Sequence, residues 1–289
     1  MMKVFRDAAG PCLAPSGSVV AVGAFDGLHR GHAALLRRVR ERADARGMIA
    51  AVVSFEPLPR AFFAPSPLPR LSSLREKLRG FGDAGVDVAL LLRFNAALAR
   101  MDAEDFVRRI LVARTGAREV WVGADCRFGH RREGDVALLE AAGRQHGFEV
   151  RTLAAVETGG ARVSATRIRE SLATGGFAHA ARLLGRPFAV AGRVVHGNRM
   201  GHRLGYPTAN IRLGRRVPPV QGIFAARVHG VADAAWPAVA SLGVRPMFDG
   251  REPLLEAHLF DFDGDLYGRR IEIEFVAKLR DEAKFADLD

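Results

Sequence analysis

The sequence predicts two domains: an α/β domain with a doubly wound parallel sheet, followed by an all-β antiparallel barrel. Three observations favour this class. The chain has 289 residues, and a single hydrophobic core seldom serves more than about 250 residues. Short apolar runs alternate with helix-like runs over roughly the first 185 residues. After residue 188 the apolar runs are β-like and turn residues separate them.

The first domain contains short apolar segments that are rich in valine or leucine. Continuous apolar runs of this length are typical of strands buried on both faces of a parallel sheet. In such a sheet the ligand binds beyond the carboxyl ends of the strands. The predicted strands cover residues 18–25, 48–55, 86–94, 119–124 and 148–153.

Helix-like segments lie between these strands. One covers residues 32–46 and is followed by Gly47, which suits the left-handed position after a helix. Asp102 is predicted to cap another helix that extends to residue 114. The remaining helical segments cover residues 72–78, 132–145, 165–175 and 177–185.

After Arg186 and Pro187 the pattern changes to β-like segments, for which a closed or partly closed antiparallel barrel is the expected solution. The domains are therefore predicted to cover residues 1–184 and 187–289. The β-like segments are residues 188–197, 222–230, 237–243, 254–262 and 269–279.

The chain is strongly basic, with 43 Lys and Arg against 32 Asp and Glu and a formal net charge of +11. Such an excess suits nucleic acids or small phosphorylated substrates. Nucleic acid is not expected, because aromatic residues form only 8% of the chain and no basic run is interleaved with them. A solvated basic surface is the plainer interpretation.

The composition also limits the compartment and the class of site. Cys12 and Cys126 are too few for a disulfide framework or a cysteine-rich zinc site, so a reducing cytoplasm is expected. Asp7 stands where a signal peptide needs an apolar run. No window approaches the roughly 18 continuous apolar residues of a membrane span. The choice between a monomer and a homo-oligomer stays open.

The first candidate site follows the predicted strand 18–25 directly. His29 and His32 are three residues apart at a helix start, so they share a face. Helix N-termini favour phosphate, and imidazoles can donate hydrogen bonds to oxygens that gain charge when a phosphorus is attacked. A histidine pair on a helix surface, or a metal-binding pair, is the alternative. The glycines that would let a polyphosphate approach the backbone are Gly23, Gly27 and Gly31.

Three segments resemble a known family. Residues 23–32, GAFDGLHRGH, resemble the GxFDGxHxGH signature of the nucleotidyltransferase superfamily, in the form used by bacterial FAD synthetases. Residues 122–129, VGADCRFG, resemble that family's VGxDFRFG, with Cys126 in place of phenylalanine. Residues 163–169, VSATRIR, resemble its ISSTxxR element, with Ala165 in place of a serine.

The resemblance implies a Rossmann-like domain in which His29 and His32 stabilise the transition state of adenylyl transfer. Phe62 and Phe128 are candidates to border the isoalloxazine ring, with packing in the core as the alternative. Hydroxyls at a helix start with an arginine one turn on form an anion site, although a plain serine cap is the alternative. The residues implied to bind ATP or its phosphates are Gly23, Phe25, Asp26, Gly27, Gly31, Asp125, Ser164, Thr166 and Arg169, with Asp125 contacting the nucleotide or a metal.

A second site lies in the barrel. Residues 201–210, GHRLGYPTAN, resemble the GRxLGFPTAN segment of riboflavin kinases, with His202 and Tyr206 in place of arginine and phenylalanine. That family implies a Greek-key barrel in which Thr208 and Asn210 hold Mg²⁺ and nucleotide phosphates. Residues 255–269, LEAHLFDFDGDLYGR, resemble the kinase's LEVHLLDFDGDLYG, which implies that Glu256 is the base.

A calcium site is the alternative for the acidic run after this glutamate. Position 6 of the EF-hand count is Leu266 rather than the glycine that the sharp turn needs. A hairpin turn at Asp263-Gly264 is the prediction instead. The acidic residues at positions 1, 3, 5 and 12 of that count are Asp261, Asp263, Asp265 and Glu272.

The resemblance covers nearly the whole chain and implies a bifunctional riboflavin kinase and FAD synthetase. Riboflavin would be phosphorylated to FMN in the barrel, and FMN adenylylated to FAD in the first domain, with ATP and Mg²⁺ used in both steps. One alternative is a chain with only one active function, in which the kinase is the activity in question because of His202. Another is an RNA-binding protein.

Overall fold

The computed structural model describes residues 1–197, 207–214, 216–247 and 250–282. The chain divides into two compact units. The first unit comprises Met1–Leu68 and Leu74–Val163, and the second comprises Pro69–Ser73 and Ser164–Asp289. The predicted fold class is confirmed, because a parallel sheet with helices is followed along the chain by an antiparallel barrel.

Six parallel strands form the sheet of the first unit: β1 (Lys3–Phe5), β2 (Ser18–Val22), β3 (Ile49–Glu56), β4 (Val88–Arg93), β5 (Ala117–Gly123) and β6 (Glu149–Leu153). Their order is β1-β4-β3-β2-β5-β6. The five strands predicted from the sequence are confirmed. Strand β1 is not predicted, since it has three residues with little burial and no apolar run.

Strand β2 lies where the sheet changes its direction of growth. From β2 the chain adds β3 and β4 on one side, and it later adds β5 and β6 on the other side. A ligand-binding crevice opens outside the carboxyl ends of the strands at such a switch point. The loops that follow β2 and β5 therefore border the expected site.

Helices flank this sheet: α1 (Arg30–Arg46), α2 (Pro59–Phe63), α3 (Leu74–Asp83), α4 (Ala96–Ala99), α5 (Ala103–Asp105), which continues as the π-helical segment Phe106–Arg114, and α6 (Val136–His146). A 3₁₀ turn (His130–Arg132) and a hairpin of β7 (Glu157–Thr158) and β8 (Ala161–Arg162) complete the unit. Two predicted helix ends are confirmed. The Asp102 carboxylate accepts a hydrogen bond from the Asp105 N–H, and Gly47 has a φ of 59°.

Alternate residues of β2 pack into two separate cores, as a strand buried on both faces requires. Val19 and Ala21 pack with Phe81 on one face of the sheet. Val20 packs with Ile110 on the other face. The sheet is therefore doubly wound.

Several arginines of α1 pair with carboxylates. Glu119 on β5 has a fully buried side chain, and it accepts hydrogen bonds from Arg42, Arg46 and the Trp121 indole. Burial alone would raise its pKa, but these hydrogen bonds lower the pKa of Glu119 to about 2. Part of the basic charge thus stabilises the fold.

The second unit contains α7 (Ala165–Ala173), α8 (Phe177–Leu184) and a closed barrel of β9 (Ala189–Val195), β10 (Ala209–Arg212), β11 (Gly222–His229), β12 (Trp236–Met247), β13 (Gly250–Leu259) and β14 (Arg270–Arg280). The barrel order is β10-β13-β12-β11-β14-β9, and β9 pairs with β10. Strands β11 to β13 are successive neighbours and β14 returns beside β11, which is the Greek-key pattern. In the described parts of the chain, no helix is long and apolar enough to cross a membrane.

The predicted hairpin at Asp263-Gly264 is wrong. Strand β13 pairs with β10 and β12, whereas β14 pairs with β11 and β9. Residues 260–269 therefore connect two strands that are not neighbours. A turn dipeptide reports local backbone preference, and it does not say which strands pair.

Helix α8 supplies part of the barrel core. The Phe177 ring is buried, and its centroid lies 5.7 Å from Phe224 and 6.1 Å from Phe275. A second domain that began at residue 187 would lack Phe177. The predicted boundary at 184–187 stays a prediction, which a comparison of fragments can test.

A fragment of residues 164–289 is expected to be more stable than one of residues 187–289. Removing Phe177 uncovers Phe224 and Phe275, and the loss of a buried phenylalanine side chain costs roughly 3–5 kcal/mol. Urea unfolding of both fragments measures the difference in the free energy of unfolding. Equal stabilities would show that α8 is outside the folding unit and would support the boundary at 184–187.

Candidate active sites

A tight loop leaves the carboxyl end of β2. Phe25, Gly27 and Leu28 have positive φ angles of 52°, 76° and 45°, which cost a non-glycine residue about 1–3 kcal/mol. Packing offsets this strain. The Phe25 ring packs edge-on against the Phe81 ring, with centroids 5.3 Å apart. The Leu28 side chain packs against Gly80, where an added Cβ would lie only 2.2 Å from Cδ1 of Leu28. Helix α3 thus holds the loop in its strained conformation.

His29 and His32 lie together at the first turn of α1, as their spacing predicts. Nδ1 of His29 accepts a hydrogen bond from the His32 N–H at 3.3 Å, so His29 caps the helix. The two rings stack with centroids 3.7 Å apart. A Cβ at position 31 would lie 3.2 Å from Cε1 of His29. Glycine at this position therefore avoids a close contact with the His29 ring.

His32 presents a polar atom that the fold does not use. Its Nδ1 is buried and has no hydrogen-bond partner among the described residues. Burial, followed by electrostatic interaction with His29 and with the Lys77 cation, holds the pKa of His32 well below its ordinary value. At neutral pH His32 is therefore an uncharged imidazole.

Other predicted residues of this loop support the pair. Asp26 is only 3% exposed, and Phe25 has no exposed surface. The Phe25 ring lies 5.1 Å from His32, and a Cβ on Gly23 would approach that ring to 3.1 Å. The structure brings these residues together with the histidines, while their contact with ATP stays a prediction.

The loop after β5 carries Asp125. Its Oδ1 lies 2.7 Å from Arg162 on β8, and the hydrogen bond from Arg162 lowers the pKa of Asp125. The sequence did not point to Arg162, because only the fold brings the hairpin to this loop. Cys126 packs against the core, and burial raises the pKa of its thiol to about 11.

Phe62 and Phe128 lie at the two ends of a chain of aromatic rings. Centroid distances along it are 5.4 Å from Phe62 to Phe94, 5.9 Å from Phe94 to Phe55, 6.4 Å from Phe55 to Phe106 and 5.8 Å from Phe106 to Phe128. Phe62 is 41% exposed, so its ring is open to a planar ligand. Phe128 is half-buried and packs on the core.

Ser164, Thr166 and Arg169 belong to the second unit. The Ser164 hydroxyl accepts a hydrogen bond from the Arg167 N–H at 3.3 Å and caps α7. Nε of Arg169 donates to the carbonyl oxygen of Pro69 at 2.6 Å. The predicted phosphate role of the three residues stays a prediction.

In the barrel, Thr208, Asn210 and Glu256 lie close together. Asn210 on β10 is directly opposite Glu256 on β13, so the two side chains share a face. Nδ2 of Asn210 donates to the Thr208 carbonyl oxygen at 3.0 Å and lies 3.4 Å from its hydroxyl. A Cβ on Gly197 would lie 2.6 Å from Asn210 Oδ1, so this close approach requires glycine.

Thr208 and Asn210 fit a magnesium ion. Oδ1 of Asn210 is buried and has no hydrogen-bond partner within the described ranges. Magnesium prefers oxygen ligands and is held by few protein groups together with water and substrate phosphates. Among the described residues, no group of three or more His, Cys, Asp or Glu could hold a metal ion. His202 and Tyr206 lie outside the described residues.

Comparisons with known proteins match both halves of the chain. The FAD synthetase family model matches residues 13–167, and the riboflavin kinase model matches residues 184–289. The bifunctional riboflavin kinase/FMN adenylyltransferase of Escherichia coli (strain K12) is 43% identical over 290 residues, which cover 100% of this chain and 93% of that protein. The protein of the same name from Pseudomonas fluorescens is 46% identical over 274 residues, covering 94% and 88%.

One solved structure shares the fold over nearly the whole chain. It is a crystal structure from Streptococcus pneumoniae, named as a macrolide-efflux protein. The two chains are 30% identical with a TM-score of 0.82, covering 99% of this chain and 93% of that one.

Proposed function

The chain belongs to the family of bifunctional riboflavin kinases/FMN adenylyltransferases, and on this premise we propose that two separate sites carry out two successive reactions. The protein phosphorylates riboflavin to FMN with ATP. It then adenylylates FMN to FAD and releases pyrophosphate. The observation that carries this function is the 43–46% identity to bifunctional relatives over nearly the whole chain.

We assign adenylylation to the loop after β2. A phosphate oxygen of FMN attacks the α-phosphorus of ATP, the bond to the bridging oxygen breaks, and pyrophosphate leaves. Negative charge grows on the oxygens of the transferred phosphorus. His29, His32 and the first N–H groups of α1 are suited to donate hydrogen bonds to these oxygens. An uncharged His32 offers one N–H donor without an unpaired buried charge.

The remaining groups of this proposal orient the two nucleotides. Asp125, ionised beside Arg162, would contact the nucleotide or its metal. The exposed ring of Phe62 is suited to stack on the flavin. Ser164, Thr166 and Arg169 would supply the second phosphate site.

We assign riboflavin phosphorylation to the barrel. Glu256 takes the proton of the ribityl 5′-hydroxyl as its oxygen attacks the γ-phosphorus, and ADP leaves. Thr208 and Asn210 would hold Mg²⁺, which offsets phosphate charge when bound. All three residues lie within the proposed kinase domain, residues 187–289, and the proposed adenylyltransferase domain is residues 1–184.

Incubation of the purified chain with riboflavin, ATP and Mg²⁺, followed by chromatography, tests the function. FMN is expected first and FAD after it, with pyrophosphate released in the second step. FMN without FAD would favour a single live activity. No conversion of riboflavin and none of added FMN would overturn both assignments.

Replacing Asn210 with alanine is expected to raise the Mg²⁺ concentration for half-maximal riboflavin phosphorylation by about tenfold, or about 1.4 kcal/mol. The reason is the loss of Oδ1, the buried oxygen that faces no donor in the described structure. Magnesium titrations of the initial rate measure the change. FAD formation from added FMN in the same preparation is the control. An unchanged magnesium requirement would remove Asn210 from the metal site.

We propose the reducing cytoplasm as the compartment and riboflavin, FMN and ATP as the partners. Cys12 and Cys126 are free thiols, as expected where glutathione and thioredoxin keep thiols reduced. Arg42 and Arg46 form ion pairs with Glu119, so part of the basic charge stabilises the fold. Because this part of the charge is not needed for binding nucleic acid, the basic composition is compatible with a protein that binds small phosphorylated molecules.

A further inference from the structure

Helix α3 places a buried lysine at the carboxyl edge of the sheet. The Lys77 side chain has no solvent exposure, and lysine is almost never fully buried unless it is paired. Its Nζ donates to the Phe55 carbonyl oxygen at 3.2 Å and lies 3.6 Å from Glu56 Oε2. Phe55 and Glu56 end β3, the neighbour of β2. The proposed reaction scheme gives this cation no role.

The same face of α3 packs on the histidine loop. Positions 77, 80 and 81 share a face, since residues three and four apart on a helix are neighbours. Gly80 receives Leu28, and Phe81 contacts Phe25. Lys77 therefore belongs to the surface that holds the loop in its strained conformation.

The charge of Lys77 also reaches the histidine pair. Burial is the largest cause that lowers the pKa of His32, and electrostatic interaction with His29 and with the Lys77 cation adds to it. Two carboxylates lie in the same region. Glu56 pairs with Lys77 from the end of β3, and Asp26 is buried in the loop itself.

We propose that Lys77 is a positioning residue for adenylyl transfer that acts through His32. It ties the end of β3 to α3, and α3 fixes the loop that carries the histidines. Its charge adds to the burial that keeps the His32 imidazole uncharged, and an uncharged imidazole has one ring nitrogen that can donate a hydrogen bond and one that can accept. This inference rests on the proposed adenylyl-transfer site.

The pH profile of FAD formation from FMN, measured on the full chain, tests the proposal. Lys77→Met is expected to lower kcat by about tenfold to a hundredfold, because a small misplacement of His32 is costly. It should also move the acid limb of the profile to higher pH, since His32 without the neighbouring charge binds a proton more readily. Lys77→Arg keeps the charge and should keep the position of the limb.

A second variant predicts the opposite sign. Glu56→Gln removes the carboxylate that offsets Lys77, so the pKa of His32 should fall and the acid limb should move to lower pH. NMR titration of the His32 ring proton measures both shifts without catalysis. The dispersion of the NMR spectrum recorded in the same titration reports that the first unit of each variant is folded, and riboflavin phosphorylation reports the same of the barrel. Arg79→Met, an exposed change on the same helix, should leave both readouts unchanged.

The outcomes separate the inference from its premise. An equal loss of rate at every pH, with unchanged His32 titration in Lys77→Met and Glu56→Gln, would overturn the inference and make Lys77 purely structural. A His29→Ala chain with normal FAD formation would instead overturn the proposed site, whatever the titrations show.

Discussion

Replacing His29 with alanine is expected to lower the rate of FAD formation from FMN by at least about a hundredfold, while riboflavin phosphorylation continues. Removal of one preorganised donor to a developing oxyanion typically costs about 10²–10³ in kcat. Alanine also removes the cap of α1 and the stacking partner of His32. Chromatography of reactions with FMN and ATP, and separately with riboflavin and ATP, measures the two steps.

Two further variants separate chemistry from helix capping. His29→Asn keeps a side chain that can cap the helix but has no imidazole, so it should be as inactive as alanine. His146→Ala changes a histidine in the last turn of α6, away from the carboxyl edge of the sheet, and should leave FAD formation unchanged. A normal yield of FAD from His29→Ala would contradict the assignment of adenylyl transfer to the loop after β2.

The sequence predicted the fold well where a local pattern is sufficient. The five apolar strands, the Gly47 cap and the Asp102 cap each follow from a few adjacent residues, and all are found. Strands β1 and β10 were missed because they are short and gain their burial or pairing from distant neighbours. The wrong hairpin at residues 263–264 has the same cause, since strand pairing is decided by the closed barrel.

The candidate sites divide in the same way. The glycines and histidines after β2 are consecutive in sequence, so one motif predicts the loop that contains them. Lys77 and Arg162 carry no such signal, since an isolated lysine or arginine is usually an exposed residue. Only the folded structure shows their roles, because the Lys77 side chain is fully buried and Arg162 forms an ion pair with Asp125.

The two sites differ in the groups that the proposal uses. Adenylyl transfer starts from a phosphate that is already ionised, so it needs hydrogen-bond donors and no base. Phosphorylation of riboflavin starts from a hydroxyl, so a proton must leave as the bond to phosphorus forms. The uncharged His32 suits the first task, and a carboxylate opposite Asn210 suits the second.

Replacing Glu256 with glutamine is therefore expected to lower kcat for riboflavin phosphorylation by roughly 10²–10⁴, the usual contribution of general base catalysis. The KM for ATP should change little, because Thr208 and Asn210 hold the nucleotide in the ground state as well, whereas a base acts only in the transition state. Initial rates of FMN formation at varied ATP, measured on the full chain, separate the two constants. FAD formation from added FMN should be unchanged, since it uses the loop after β2.

The matched control is Glu272→Gln, because Glu272 is a half-buried carboxylate on barrel strand β14 rather than β13. It should phosphorylate riboflavin at the normal rate, which would show that the loss in the Glu256 variant belongs to that position and not to barrel carboxylates in general. Normal turnover in Glu256→Gln would remove Glu256 from the mechanism. A raised KM for ATP with normal kcat would give it a binding role instead, because an interaction that is equally strong in both states changes KM alone.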